Sequence, residues 1–326
     1  MSAAMMGRLS LVVFVLPWLL CQCATSGGVP KRARLEAELW TSFDGKKMPW
    51  TKWLPPEGTK LRGVVVAVHG LSGAKSDFWF LGDQLAPAGY AVYAYDLRGQ
   101  GNDGVAADRG DIKSARLWEQ DLTTFHALVR ARHPKMPIYW YGESLGSLIT
   151  LHTAGQRHLP GWGPDGIVLA SPAAGLRVAL SGSKRWLLEA AAALSPRTRY
   201  SLGELGGIDE SKIQVTNATT HGGQMSVTPH YLSSFSLRLL AEVGYMMDAN
   251  PKFAHRVRVP TLFLATPKDV LSSPDQVQAL FGQMRTQKKR LLWYSRSFHL
   301  LLHDVQREEV TRDVINWLRK QETTRR

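Results

Sequence analysis

Short apolar runs separated by amphipathic stretches set the rhythm of most of this chain. Gly63–Val68, Ala91–Tyr95, Ile138–Tyr141, Ile167–Ala170, Thr261–Ala265 and Leu291–Tyr294 are each almost continuously apolar or aromatic. Runs of this length without polar alternation predict strands covered on both faces, as in a parallel sheet. Helical patterns lie between most of them, at Phe78–Ala88, Ala115–Arg132, Leu145–Gln156, Asp275–Met284 and Val305–Lys320. In the second of these, Leu117, Trp118, Leu122, Phe125, Leu128 and Val129 share one face. Strand–helix alternation predicts parallel βαβ units. Upstream, Glu38–Phe43 and Met48–Trp53 flank the turn pair Asp44-Gly45, a hairpin signal that adds antiparallel strands at one edge.

The rhythm breaks between about Ala173 and Arg258. Helix-like pieces at Arg185–Leu194 and Tyr231–Met247 are joined there by Gly-rich and Ser/Thr-rich connections. So long a stretch is not expected to be a bare loop. It predicts a helical cap laid over one end of the sheet. Its apolar residues include Leu187, Leu194, Tyr231, Phe235, Leu239 and Met247; most are expected to pack the cap onto the core and some to line an acyl tunnel, with no individual substrate contact assigned.

The N-terminus has a different pattern. Arg8 precedes the apolar run Leu9–Leu20, and small and polar residues follow. This matches a signal peptide, and the run is shorter than the about 20 apolar residues that cross a bilayer. Export is expected, whether to a periplasm, to a membrane as a lipoprotein, or by secretion. Both cysteines, Cys21 and Cys23, fall at the end of this segment. A body after residue 23 therefore has no disulfide, thiolate metal site or cysteine nucleophile. Leu20 lies three residues before Cys23, as in bacterial lipoprotein signals, which makes Cys23 a candidate for lipidation. Gln22 departs from that pattern, and cleavage near Ala24 is the competing reading. The expected boundaries are a signal peptide over 1–23, a linker over 24–34, a core over 35–172 and 259–326, and the cap over 173–258.

The 326 residues suffice to bury a large core, and 44% hydrophobic with 21% charged residues is ordinary for a globular protein. A net charge of +13 is not ordinary. The basic residues are dispersed and no nucleic-acid-binding motif accompanies them, so a solvated surface is the first reading and attraction to a membrane surface the second. Nucleic acid is not an expected partner.

Gly142-Glu143-Ser144-Leu145-Gly146 has the form G-x-S-x-G. The pattern alone is common. Here it follows an apolar strand and opens a helical run, the setting of a nucleophile elbow. A serine hydroxyl needs a base, and the base an orienting acid. Loops after parallel strands share one sheet edge. Asp269 follows the strand ending at Ala265, and His299 follows the strand ending at Tyr294. Both can therefore reach Ser144, in the chain order Ser, Asp, His. His303 rivals His299 but falls in the final helix pattern, and Asp275 rivals Asp269 but reads as a helix N-cap. Backbone N–H groups of Leu145, after the serine, and Leu71, in the loop His69-Gly70-Leu71-Ser72-Gly73, are the candidate oxyanion donors. His69 reads as structural.

Taken together, the His69-Gly70 loop, Asp96-Leu97-Arg98-Gly99-Gln100-Gly101, the Gly142–Gly146 elbow, the Asp269 loop and Phe298-His299-Leu300-Leu301 occur in the order of the monoacylglycerol lipase and lysophospholipase branch of the α/β hydrolases, including S33-type serine aminopeptidases. The chain resembles that branch over roughly residues 35–320. The resemblance implies an α/β-hydrolase fold: a mostly parallel central sheet flanked by helices, with the cap inserted after the sixth core strand. It further implies a serine hydrolase acting on carboxylic esters, with a single-chain lipid as substrate and no cofactor or metal. Two positions depart from the branch, Gln100 where it usually has His, and Thr266-Pro267 where it typically has Gly before the acid. A proline-type aminopeptidase, for which no carboxylate trap for a free amine is evident, and a non-catalytic binding protein on the same scaffold remain the alternatives.

Overall fold

A computed structural model describes residues 32–323 apart from 157–162, 178–181, 207–208 and 228–229. The expected signal peptide, most of the linker and Cys23 lie outside the described residues. In chain order the elements are β1 (Arg34–Leu35), β2 (Leu39–Thr41), β3 (Lys47–Trp53), β4 (Gly63–Val68), α1 (Trp79–Leu85), β5 (Tyr90–Tyr95), α2 (Arg116–Arg132), β6 (Ile138–Glu143), α3 (Leu145–Ala154) and β7 (Gly166–Ala170). They continue with α4 (Gly182–Leu194), β8 (Arg199–Tyr200), α5 (Leu202–Gly206), α6 (His221–Val227), β9 (Phe235–Ser236), α7 (Leu237–Ala254), β10 (Thr261–Ala265), α8 (Pro274–Gln283), β11 (Lys289–Trp293) and α9 (Arg307–Thr323).

Nine strands form one sheet in the order β1-β2-β3-β5-β4-β6-β7-β10-β11. The six from β5 to β11 pair in parallel. β1, β2 and β3 extend the β5 edge antiparallel. The predicted hairpin is present, with Trp40 opposite Met48 and Thr41 opposite Lys47. Residues alternate across the parallel strands because side chains point to opposite faces of a strand. Val64, Val66 and Trp140 pack toward Leu122 of α2 and Leu148 of α3, whereas Val65, Tyr139 and Tyr141 pack toward Leu81 of α1 and Val314 of α9. Both faces are thus covered, which explains why β4, β5, β6, β7 and β10 are buried at every position. The architecture is the expected mostly parallel sheet between helical layers.

Four expectations are corrected in detail. The helix expected over Tyr231–Met247 starts only at Leu237. Phe235 and Ser236 instead pair with Arg199 and Tyr200, and the Ser236 hydroxyl caps α7 by accepting from Leu239 N at 3.2 Å. Asp275 is not an N-cap. Pro274 opens α8 one residue earlier, and Ser273 caps it in a reciprocal pair with Gln276. His303 lies in a short 3-10 turn, Leu301–His303, ahead of α9. Asp304 breaks the chain there, its carboxylate accepting from the backbone of Phe298 and Val305. Finally, a 3-10 turn at Lys75–Phe78 precedes α1.

The 173–258 insertion contributes to two layers. α7 runs along α3, with Asn250 bonded to both His152 (3.2 Å) and the Ala173 carbonyl (3.0 Å). Leu239, Met246 and Ala254 of α7 join the same core as Leu148. The segments before α7 bond to loops that follow strands: the Leu232 carbonyl accepts from the Ser72 hydroxyl, and the Val215 carbonyl accepts from Leu300 N–H, each at 3.0 Å. Among the described residues, no helix is long and apolar enough to cross a membrane.

Candidate active site

β6 ends at Glu143 and α3 begins at Leu145, so the chain reverses at Ser144. Ser144 has φ +53° and ψ −115°, a left-handed conformation that a non-glycine residue adopts at a cost of about 1–3 kcal/mol. Its N–H is held by the Ala170 carbonyl of the neighbouring strand at 3.0 Å. The turn is possible because α3 presses on β4: a Cβ on Gly146 would run into the Val68 carbonyl oxygen. The strain is therefore carried by packing on both sides, and it leaves the Ser144 hydroxyl projecting at the N-terminus of a ten-residue helix.

Asp269 and His299 come to the same point from the loops after β10 and β11. His299 Nε2 lies 3.0 Å from Ser144 Oγ, and His299 Nδ1 lies 2.9 Å from each carboxylate oxygen of Asp269. The carboxylate thus fixes the proton on Nδ1 and leaves Nε2 free to accept from the serine. All three residues are buried. Burial acts to raise the Asp269 carboxyl, but the charge and hydrogen bond of His299, with donation from Leu271 and Ser272 N–H, hold it below its ordinary value. Burial acts to lower His299; the charge and hydrogen bond of Asp269, helped by Glu143, outweigh it and leave the imidazole more basic than usual. A serine hydroxyl beside an imidazole that accepts a proton readily, with the imidazole's cation stabilised by a buried carboxylate, is equipped for nucleophilic acyl transfer.

The two candidate oxyanion donors flank the serine. Leu145 is the first residue of α3, so its N–H is one of the orphan donors of the first turn. The loop carrying Leu71 passes directly against Ser144: a Cβ on Gly70 would lie 3.2 Å from Ser144 Cβ. His69 is structural, as expected. Its Nδ1 bonds to the Gly70 carbonyl at 2.8 Å and its Nε2 accepts from Leu97 N–H at 2.9 Å, so both nitrogens are used. Asp275 and His303 are not part of the Ser144–His299–Asp269 chain of bonds.

The profile of the serine aminopeptidase S33 family matches residues 59–306, about three quarters of the chain. The chain belongs to this family. It is 23% identical over 254 residues to a phospholipase of Bacillus subtilis, covering 76% of this chain and 91% of the relative. It is 23% identical over 278 residues to a monoacylglycerol lipase of Mycolicibacterium smegmatis, covering 84% and 93%. Among solved structures it is similar to a Paleococcus ferrophilus monoacylglycerol lipase, with a TM-score of 0.68, 23% identity, and 84% and 99% of the two chains covered. The likeness to that structure establishes the α/β-hydrolase fold.

In this S33 hydrolase both departures from the branch pattern have a structural role. Gln100 Oε1 accepts from Ser72 N at 3.0 Å and so anchors the loop beside the serine. Thr266 Oγ1 donates to the Ser297 carbonyl at 2.6 Å, tying the acid loop to the histidine loop. Ser171, after β7, donates to the His299 carbonyl at 2.5 Å. Farther out, Arg98 pairs in bidentate fashion with both Asp44 and buried Asp121, fastening the loop after β5, which also carries Gln100, to the hairpin and α2.

Four residues near the site were not singled out in the sequence. Glu143, directly before Ser144, is buried and its Oε1 has no hydrogen-bond partner. Burial and then the Asp77 charge push its carboxyl up to about 7, against a pull from His299. A carboxylate ending an otherwise apolar strand was the available signal. Glu210, His221 and Tyr231 form a bonded cluster in the insertion, and nothing in their spacing announces it. No group of side chains suited to a metal ion occurs among the described residues.

Proposed function

We propose that this protein, an ester hydrolase, cleaves monoacylglycerol- or lysophospholipid-type lipids through Ser144, His299 and Asp269 by way of an acyl-enzyme. The observation that carries the reading is the continuous chain from Ser144 Oγ through His299 to Asp269, at 3.0 and 2.9 Å. Ser144 Oγ attacks the ester carbonyl carbon while its proton passes to His299 Nε2. Leu71 and Leu145 N–H groups hold the oxyanion. Collapse breaks the carbon–oxygen bond to the alcohol, which leaves with the proton from His299. Water then gives a proton to His299 and attacks the acyl-enzyme, and the acid departs as Ser144 regains its proton. Asp269 keeps the imidazole in the required tautomer and stabilises its cation.

The single-chain lipid as substrate is supported by the relative named as a monoacylglycerol lipase, and a lipid ester more broadly by the relative named as a phospholipase. Peripheral binding to a membrane surface is part of the proposal. Trp186, Leu187 and Leu194 of α4 are exposed, beside Arg185 and in a chain of net charge +13. Export directed by the apolar run behind Arg8, with Cys23 as a lipidation site, also belongs to it; loss of radiolabelled palmitate incorporation in Cys23→Ala tests the latter.

The deciding experiment is labelling with a fluorophosphonate, followed by a panel of monoacylglycerol, lysophospholipid and proline anilide. Labelling that is lost in Ser144→Ala, with turnover of the lipids, is expected. Turnover of the anilide alone would replace the reading with an aminopeptidase. Absence of labelling in the wild-type protein would leave a binding protein.

A further inference from the structure

His299 is held by bonds made on either side of it in the chain. Phe298 N–H donates to Asp304 Oδ2 at 2.7 Å, and Leu300 N–H donates to the Val215 carbonyl at 3.0 Å. Val215 belongs to the insertion, and so does a second partner of Asp304. Asn217 donates to Asp304 Oδ1 from its backbone N–H at 2.9 Å and from Nδ2 at 2.8 Å, and Nδ2 also reaches the Arg296 carbonyl at 2.8 Å. Val305 N–H adds a bond to Oδ1 at 2.8 Å. A tight turn presents the insertion's atoms to the loop: Val215 N–H bonds to the Thr219 carbonyl at 3.1 Å, and His221 N–H to the Ile213 carbonyl at 2.7 Å.

Asp304 is the joint between the two segments. It is buried. Burial acts to raise its carboxyl, but donation from Asn217, Phe298 and Val305 outweighs burial and holds it below its ordinary value. A carboxylate only accepts, and its two oxygens serve different segments here. Oδ2 holds the residue before His299, whereas Oδ1 holds the turn of the insertion. A carboxamide has one acceptor oxygen, so at this position it would satisfy one segment and aim N–H at the donors of the other. His299 Nε2 lies 3.0 Å from Ser144 Oγ. Displacing a reacting group by about 1 Å can cost on the order of 10²-fold in rate.

We propose that Asp304 and Asn217 are positioning residues for His299: the imidazole stands in line with Ser144 while the Asn217 turn is docked on Asp304, and leaves that line when it is not. The insertion then governs the base of the reaction, apart from any contact it makes with substrate. This rests on the reading of Ser144, His299 and Asp269 as the catalytic residues.

The test is steady-state hydrolysis of p-nitrophenyl butyrate by the full chain, with kcat expressed per serine labelled at saturating fluorophosphonate, so that misfolded protein is not counted. Asp304→Asn is expected to lower kcat about tenfold to a hundredfold, and Asn217→Ala about threefold to tenfold, each with KM changed less than about twofold. The double variant should be no slower than Asp304→Asn alone, because Asn217 acts through Asp304. If Asp304→Asn does not fold, Asn217→Ala decides, since the Asn217 side chain is exposed. Wild-type kcat in Asn217→Ala, a loss confined to KM, or a double variant slowed by the product of the two single effects overturns the inference and leaves the triad standing. A wild-type protein that does not label, or that labels equally after Ser144→Ala, removes the triad reading, and this inference with it.

Discussion

Glu143 offers the most quantitative test of the site's electrostatics. It is buried directly before Ser144, with Oε1 unpartnered and the Asp77 carboxylate as the next largest influence after burial. Its folded-state value of about 7 stands against an ordinary 4.5. A group raised on folding contributes stability that is complete below its unfolded value and is lost as pH rises through its folded value. The shift is roughly 2.5 units, so ionising Glu143 withdraws about 3 kcal/mol in all, most of it between pH 5 and 8. Glu143→Gln keeps the shape and removes the titration. Denaturant unfolding of both proteins at several pH values measures the difference. The variant should gain on the wild-type protein by about 2–3 kcal/mol between pH 5 and pH 8. The same substitution removes a charge that raises His299. Neutral His299 is the active base, so the acid limb of the kcat/KM profile should move to lower pH. A stability difference independent of pH would refute the buried-carboxyl argument, and a stationary acid limb would refute the coupling to His299.

Asp269→Asn removes the charge that favours the His299 cation and the acceptor that fixes its tautomer; kcat should fall by about three orders of magnitude or more, with little change in KM, in steady-state assays on a soluble ester. Arg98→Met leaves Asp121, which makes its buried ion pair with Arg98, without that partner; unfolding experiments should show a loss of about 3–5 kcal/mol. Gly146→Ala forces a Cβ into the Val68 carbonyl, and should abolish fluorophosphonate labelling even in the fraction that remains soluble. Trp186→Ser should weaken sedimentation with anionic vesicles while leaving hydrolysis of a water-soluble ester in place, since Trp186 is 66% exposed on α4.

The parts of the fold that were legible in the sequence are those governed by local periodicity. Val64–Val68 and Ile138–Tyr141 read as strands because both faces of their sheet are covered, which removes polar alternation. Ser144, Asp269 and His299 were legible for a related reason: each follows a parallel strand, and topology brings such loops to one edge. Misreadings arose where one side chain overrules a pattern. Ser236 delays α7 past Tyr231, Pro274 with Ser273 displaces Asp275 from the cap, and Asp304 turns His303 out of α9.

The residues around the triad were hidden for a different reason. Tyr231 looked like one more apolar position of a cap helix, and its hydroxyl acquires meaning only because His221, ten residues earlier, folds back onto it. His221 in turn is held there by the bond from its N–H to the Ile213 carbonyl, and the same segment is tied to the His299 loop through the Val215 carbonyl, which accepts from Leu300 N–H, and through Asn217. Such contacts join segments with no shared period, so spacing cannot foretell them.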